Sequence, residues 1–216
     1  MIKDKLLITG MSPGNGYFKQ EVIDKLLVYC SEKYSKVEIC IPDIPAISTY
    51  LALGYSENKA RAKAIRLQGN NYRNRINNVF TTRNLNPDNI KIWNWAKDGI
   101  EENAIYRECF DSIKNLYENN LDFKKDINIA TEEVLINNQF RKKDLSKDDV
   151  VVGAHYIISE FAFILFISKI IKEYNHFIFG YHRPWPVWEK FIAGEYDGKK
   201  KDNLSFLLLP NFSNQN

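Results

Sequence analysis

Apolar positions along this chain come in short blocks whose period switches between strand and helix. Residues 5–9 (KLLIT) form a continuous apolar run of strand length, and residues 20–34 place Val22, Ile23, Leu26 and Leu27 at helical spacing. Residues 37–41 (VEICI) supply a second strand, which the Pro42 to Pro45 stretch ends. Strand, helix and strand in this order predict a βαβ unit of a parallel sheet with a right-handed crossover. Ser56 is placed to cap a long polar helix running towards Phe80, which Gly69 and the Asn-rich stretch after it weaken. Further helices are predicted over 101–117, 126–137 and 147–172, and two late strands over 176–180 and 205–210. The late strands flank a Pro-containing aromatic loop and a short helix around Trp188.

The pattern therefore predicts an α/β fold, a single Rossmann-like domain over 1–210 with a mainly parallel sheet flanked by helices. A frayed tail is expected over 211–216. With 216 residues, 44% of them hydrophobic and 13% aromatic, the chain can bury one sizeable core but not two. The three cysteines, Cys30, Cys40 and Cys109, are odd in number and widely spaced, which suits reduced thiols in a cytoplasmic protein and implies no zinc site. Residues 150–171 are long and apolar enough to span a bilayer. Glu160 within them would cost about 3 kcal/mol there, so a buried core helix and no membrane partner are expected.

Three stretches carry candidate chemistry. The first is Gly10-Met11-Ser12-Pro13-Gly14-Asn15-Gly16-Tyr17-Phe18, between the first strand and the first helix, where backbone N–H groups can stabilise an anion. It lacks the Gly-Lys-Ser/Thr ending of a P-loop, and its glycines fall in the wrong order for a dinucleotide fingerprint. It does match the G-x-S-x-G of a nucleophile elbow, although a glycine turn with Ser12 as a helix cap explains the string equally well. The second stretch contains Tyr156 and Glu160, four apart and so on one helix face. A buried Glu needs a cation, either an Arg from elsewhere in the fold or the ammonium of an amino-acid ligand. The third is Tyr181-His182, at the end of a strand, where sites of parallel sheets collect. A Ser beside a Tyr, a Glu and a His could support acyl transfer, and no Ser-His-Asp triad is expected on His182.

In content, order and spacing, these three pieces resemble the tRNA-dependent cyclodipeptide synthases. The resemblance implies a fold like the catalytic domain of the class I tyrosyl and tryptophanyl aminoacyl-tRNA synthetases. It makes Ser12 the aminoacyl acceptor and places Gly10 in the aminoacyl pocket. Tyr156 and Glu160 would hold and help deprotonate the amino group, and Tyr181 would assist proton transfer. Asn15, Tyr181 and His182 match the subfamily marked by Asn, Tyr and His. The implied reaction is a ping-pong acyl transfer from two aminoacyl-tRNAs, through aminoacyl-Ser12 and dipeptidyl-Ser12, to a cyclic dipeptide. The HIGH and KMSKS signatures are missing, so neither ATP nor a metal is expected as cofactor. The family often follows its Glu with a small residue and Pro, whereas Phe161-Ala162 follows here, which bears on local shape.

By the same resemblance Cys40, Phe163 and Phe179 line a first aminoacyl pocket suited to an aliphatic residue such as Leu. Ala130, Asn137 and Trp185 lie towards the second. Lys59, Lys63, Arg66 and Arg73, at helical steps, predict a basic face with Arg61 and Arg75 nearby. A solvated surface would explain that face; the resemblance makes it a phosphate footprint for the tRNA acceptor arm. No DNA partner is expected, and a monomer is. The rival readings are a Ser hydrolase or esterase using the same elbow, and a non-catalytic RNA-binding module.

Overall fold

The computed structural model describes residues 5–12, 15–138 and 140–214. The five strands are β1 (Lys5–Gly10), β2 (Val37–Ile41), β3 (Ile90–Asn94), β4 (His176–Tyr181) and β5 (Leu204–Leu208). They form one sheet in the order β3-β2-β1-β4-β5, with every neighbouring pair parallel. The helices are α1 (Gln20–Lys33), α2 (Ala46–Ala52), α3 (Glu57–Lys63), α4 (Asn71–Arg83), α5 (Trp95–Asp98), α6 (Ala104–Asn119), α7 (Leu121–Ile136), α8 (Lys147–Ile170) and α9 (Pro186–Ala193). This is an α/β fold whose parallel sheet is flanked by helices. All of β2 and all but the first residue of β1 are buried, as the unbroken apolar runs require.

The order of the strands fixes where a ligand can sit. The chain leaves β1 towards β2 on one side and returns as β4 on the other, so a crevice opens beyond the carboxyl ends of β1 and β4. Ser12 follows β1 and Tyr181 closes β4, which brings two separate sequence signals to this crevice.

α8 passes the length and composition test for a membrane span, yet most of it is buried against α2, α6 and α7. Its start is fixed by a capping box in which Ser146 Oγ accepts from Asp149 N at 3.2 Å while Asp149 accepts from Ser146 N at 2.9 Å. Gly153 lets it approach α7, because a Cβ there would lie 3.0 Å from Leu135 Cδ1 and from Thr131 Cγ2.

Several expectations need correction. α2, β3 and α5 are additions to what the hydrophobic pattern predicts; β3 is a short edge strand in which Lys91 is exposed between buried Ile90 and half-buried Ile92. The helix expected from Ser56 is interrupted by a π-helical segment at Ala64–Asn70 before α4 resumes it. The wider π turns break the angular register on which a single basic face depends. Lys59 and Arg66 are exposed, whereas Lys63 is half-buried with its Nζ 4.8 Å from the Phe140 ring centre. Arg73 is also half-buried, with one guanidinium nitrogen wholly so. The tail does not fray directly after Pro210: Phe212 is buried in a 3-10 turn (Phe212–Asn214), 5.6 Å from the Tyr29 ring, and its N–H donates to Tyr17 Oη. Residues 215–216 lie outside the described residues.

The Gly153 contact yields a test. Gly153→Ala gains about 0.5–1 kcal/mol of helix propensity, but it crowds two residues that cannot swing aside. Leu135 is buried, and Thr131 is held by its hydroxyl bond to Ile127 O at 2.8 Å. The net expectation is a loss of about 1 kcal/mol in urea unfolding; a gain in stability would show that α7 and α8 are not in contact here.

Candidate active site

Ser12, at the end of β1, is held with its hydroxyl 2.7 Å from Tyr181 Oη. Both groups are buried, and burial raises the Tyr181 phenol above its ordinary range. Tyr156 and Glu160, one turn apart on α8, meet as the spacing predicts: Tyr156 Oη donates to Glu160 Oε1 at 2.8 Å. The carboxylate lies over the backbone at the end of β1, where a Cβ on Gly10 would stand 3.1 Å from Glu160 Oε1. Gly10 thus serves the site by having no side chain.

Glu160 is 8% exposed, and the ion pairs among the described residues do not include it. Burial pushes its carboxyl up to about 7, with the Tyr156 hydrogen bond working the other way. Of the two partners left open by the sequence, an Arg of the fold is not paired with Glu160 among the described residues.

A cavity of about 360 Å³ opens beside these groups. Ser12, Tyr156, Glu160 and Tyr181 give it a polar wall. Ile129, Ala130, Val134, Ile157, Phe179 and Trp185 give it an apolar one. Arg183, and the pair Asp126 and Lys190 at 2.7 Å, also line it. These charged residues were not singled out from the sequence. Asp126, Ala130 and Glu133 share one face of α7 at steps of four and three, and Arg183 directly follows Tyr181-His182, so both signals were there.

Other expected site residues lie elsewhere. Cys40 is buried opposite Gly10 in the β1–β2 register and does not line this cavity. Phe163 is 1% exposed and fills the core, its ring 4.8 Å from Trp95, so Phe163 and Phe179 do not narrow one pocket together. Phe179 instead shares the cavity with Ala130 and Trp185. Asn137 is exposed at the end of α7, its amide donating to Glu133 O.

Asn15 and His182 do meet, with Asn15 Nδ2 and His182 Nε2 3.4 Å apart, and Tyr17 stacks on the imidazole at 4.0 Å. They tie the loop after Ser12 to the end of β4 without lining the cavity. Burial, helped by the Arg183 charge, pushes His182 down to about 4, so it is neutral. The Ser12 hydroxyl bonds Tyr181 rather than His182, and a hydrolase triad is not assembled among the described residues. α1 begins only at Gln20, so its N-terminus is not at Ser12; Pro13 and Gly14 lie outside the described residues.

The raised Glu160 pKa has a sign that can be checked. Its stabilising contribution is fully present below about 4.5 and is lost as pH rises through about 7. The gap corresponds to about 3 kcal/mol. Glu160→Gln should therefore raise Tm by several degrees at pH 8 and leave it nearly unchanged at pH 4.5; an equal shift at both pH values would mean that Glu160 is not desolvated.

The cyclodipeptide synthase family model matches residues 3–211 of the chain. The cyclo(L-leucyl-L-leucyl) synthase of Photorhabdus laumondii subsp. laumondii is 23% identical over 207 residues, covering 92% of this chain and 86% of that one. A cyclodipeptide synthase from Bacillus thermoamylovorans superposes with a TM-score of 0.80 at 21% identity, over 94% of this chain and 87% of that one. One from Mycobacterium tuberculosis, described as showing that these enzymes are related to type I tRNA synthetases, does so with a TM-score of 0.74 at 18% identity, over 94% and 84% of the two chains. A third, from Candidatus Glomeribacter gigasporarum and bound to Phe-tRNAPhe, gives 0.61 at 15% identity, over 99% and 93%. With a family model spanning nearly the whole chain and a Ser, Tyr and Glu site at the crevice of the sheet, this chain belongs to the cyclodipeptide synthase family.

Proposed function

We propose that this enzyme joins the aminoacyl groups of two aminoacyl-tRNAs into a cyclic dipeptide, with Ser12 as the covalent acceptor. The observation that carries this reading is Glu160, a buried carboxylate without a cation of its own, facing the same cavity as Ser12. An α-ammonium in that cavity would supply the missing charge, and the apolar wall would take the side chain. The tRNA-bound family structure supports aminoacyl-tRNA as the source.

The steps follow a ping-pong order. Ser12 Oγ attacks the ester carbonyl of the first substrate; its proton passes to Tyr181 Oη as that phenol gives its own to the tRNA ribose oxygen, which leaves as the hydroxyl. Glu160, with Tyr156, takes a proton from the bound ammonium, and the freed amine attacks the ester of the second aminoacyl-tRNA. The resulting dipeptidyl-Ser12 closes when its terminal amine attacks the Ser12 ester, which releases the ring and restores the hydroxyl. Each step exchanges one ester for another bond, so the scheme calls for neither ATP nor a metal.

An aliphatic first residue such as Leu is supported by the walls of Ile129, Val134 and Ile157 and by likeness to a leucyl-leucyl synthase. The Asn15–His182 contact beside Tyr181 supports the Asn, Tyr and His subfamily. Of Lys59, Lys63, Arg66 and Arg73, the exposed pair Lys59 and Arg66, before and within the π segment, would meet tRNA phosphates. A monomer in the cytoplasm, with no DNA or membrane partner, completes the proposal.

The enzyme incubated with a mixture of charged tRNAs should yield cyclic dipeptides by mass spectrometry, and Ser12→Ala should retain no aminoacyl label. Free amino acid without any diketopiperazine would instead establish the hydrolase reading; label on Ser12→Ala would move the acceptor elsewhere. Replacing both Lys59 and Arg66 with Ala should reduce the slope of log affinity against log salt for tRNA by about 2. An unchanged slope would return these residues to a merely solvated face.

A further inference from the structure

We propose that Gln68 and Tyr72, at the junction of the π-helical segment with α4, are positioning residues that hold the Ser12 loop for acyl transfer. This rests on the reading of Ser12 as the acceptor. Gln68 is 1% exposed, a depth at which a side-chain amide needs a reason. Its Nε2 donates to the carbonyl of Met11, and Tyr72 Oη donates to the carbonyl of Ser12 itself at 3.3 Å. The next contact along the helix continues the seam, for Arg75 Nη1 donates to Phe18 O at 2.6 Å and Gln20 Nε2 donates to Arg75 O at 3.1 Å. The loop is thus held at both ends by one helix, while Met11 N donates to Cys40 O at 3.1 Å from the sheet side.

The π segment explains how that helix reaches the loop. Such interruptions recur at functional sites because the extra residue in the turn re-aims the side chains around it. Here the helix sits as close to the sheet as glycine permits, since a Cβ on Gly69 would stand 3.0 Å from Asp43 Oδ2 and 3.3 Å from Asn94 Nδ2. Residues 68, 72 and 75 all turn towards the loop, as their hydrogen bonds to Met11, Ser12 and Phe18 show, while Arg66 and Asn70 are exposed. The same helix therefore offers charge to solvent on one side and fixes the nucleophile's backbone on the other. A displacement of about 1 Å at a reacting group costs on the order of 10²-fold in rate, so holding the Ser12 backbone bears on chemistry rather than on folding alone.

The test is single-turnover acylation by labelled aminoacyl-tRNA over a range of tRNA concentrations. Tyr72→Phe, which removes one oxygen, should lower the rate at saturation about tenfold with the half-saturating concentration unchanged, and Gln68→Leu should lower it further. Ile76→Val, buried on the same helix but with a side chain that makes no hydrogen bond to the loop, provides the control: similar loss of stability, no loss of saturating rate. An undiminished saturating rate in Tyr72→Phe, or a loss no greater than that of Ile76→Val, would overturn the inference. Tyr72→Phe decides the matter even if Gln68→Leu does not fold. Ser12→Ala run in parallel separates the two claims. If it still acquires label, the acceptor reading has failed; if it does not while Tyr72→Phe acylates at full rate, only the positioning role has.

Discussion

The site depends on one unfavourable placement, the Glu160 carboxylate buried over the end of β1 with a phenol as its hydrogen-bond partner and, among the described residues, no basic side chain paired with it. Placing a carboxyl there costs stability at neutral pH, because burial raises its pKa to about 7. The surroundings are arranged to keep it there. Gly10 leaves room for the carboxylate, Tyr156 directs it, and the capping box at Ser146 together with Gly153 sets how α8 lies on α7. A group maintained at such cost beside a reactive hydroxyl is what a binding site for an ammonium requires, and it is poised to exchange a proton near neutral pH.

The tyrosines divide the remaining work. Tyr156 serves the carboxylate and Tyr181 serves Ser12, so the nucleophile is bonded to a phenol and not to an imidazole. His182, neutral and set against Asn15 and Tyr17, belongs to the scaffold of the loop. This arrangement separates the enzyme from a serine hydrolase despite the shared G-x-S-x-G string. In the proposed scheme the proton that matters after the first transfer is on the substrate's own amine, and Glu160 faces the same cavity as Ser12.

Much of this was legible in the sequence because it rests on local period. The strands expected over 5–9 and 176–180, and the i, i+4 pair on α8, follow from spacing, which places Ser12, Tyr156, Glu160 and Tyr181 near strand ends and on one helix face; their roles were implied by the family resemblance. Residues whose place depends on tertiary packing were not legible. Phe163 reads as a pocket wall but turns into the Trp93 and Trp95 cluster, and Asn137 ends up exposed at a helix terminus. The π segment has no simple composition signal, so the single basic face expected from α-helical steps did not survive it, and Gln68, buried within a helix expected to be polar, was not singled out. β3 was hidden because an edge strand with Lys and Asn among its five residues carries little of the apolar run that marks β1 and β2.

The account stands or falls on whether Glu160 is the seat of the substrate ammonium. The most direct measurement is the titration of the Glu160 carboxyl by carbon-detected NMR, free and with an amino-acid ester or amino alcohol bound. The assignment comes from Glu160→Gln. The account predicts titration near 7 in the free enzyme and a marked fall when the amine binds. A carboxyl that titrates in the ordinary carboxylate range and ignores the ligand would contradict it.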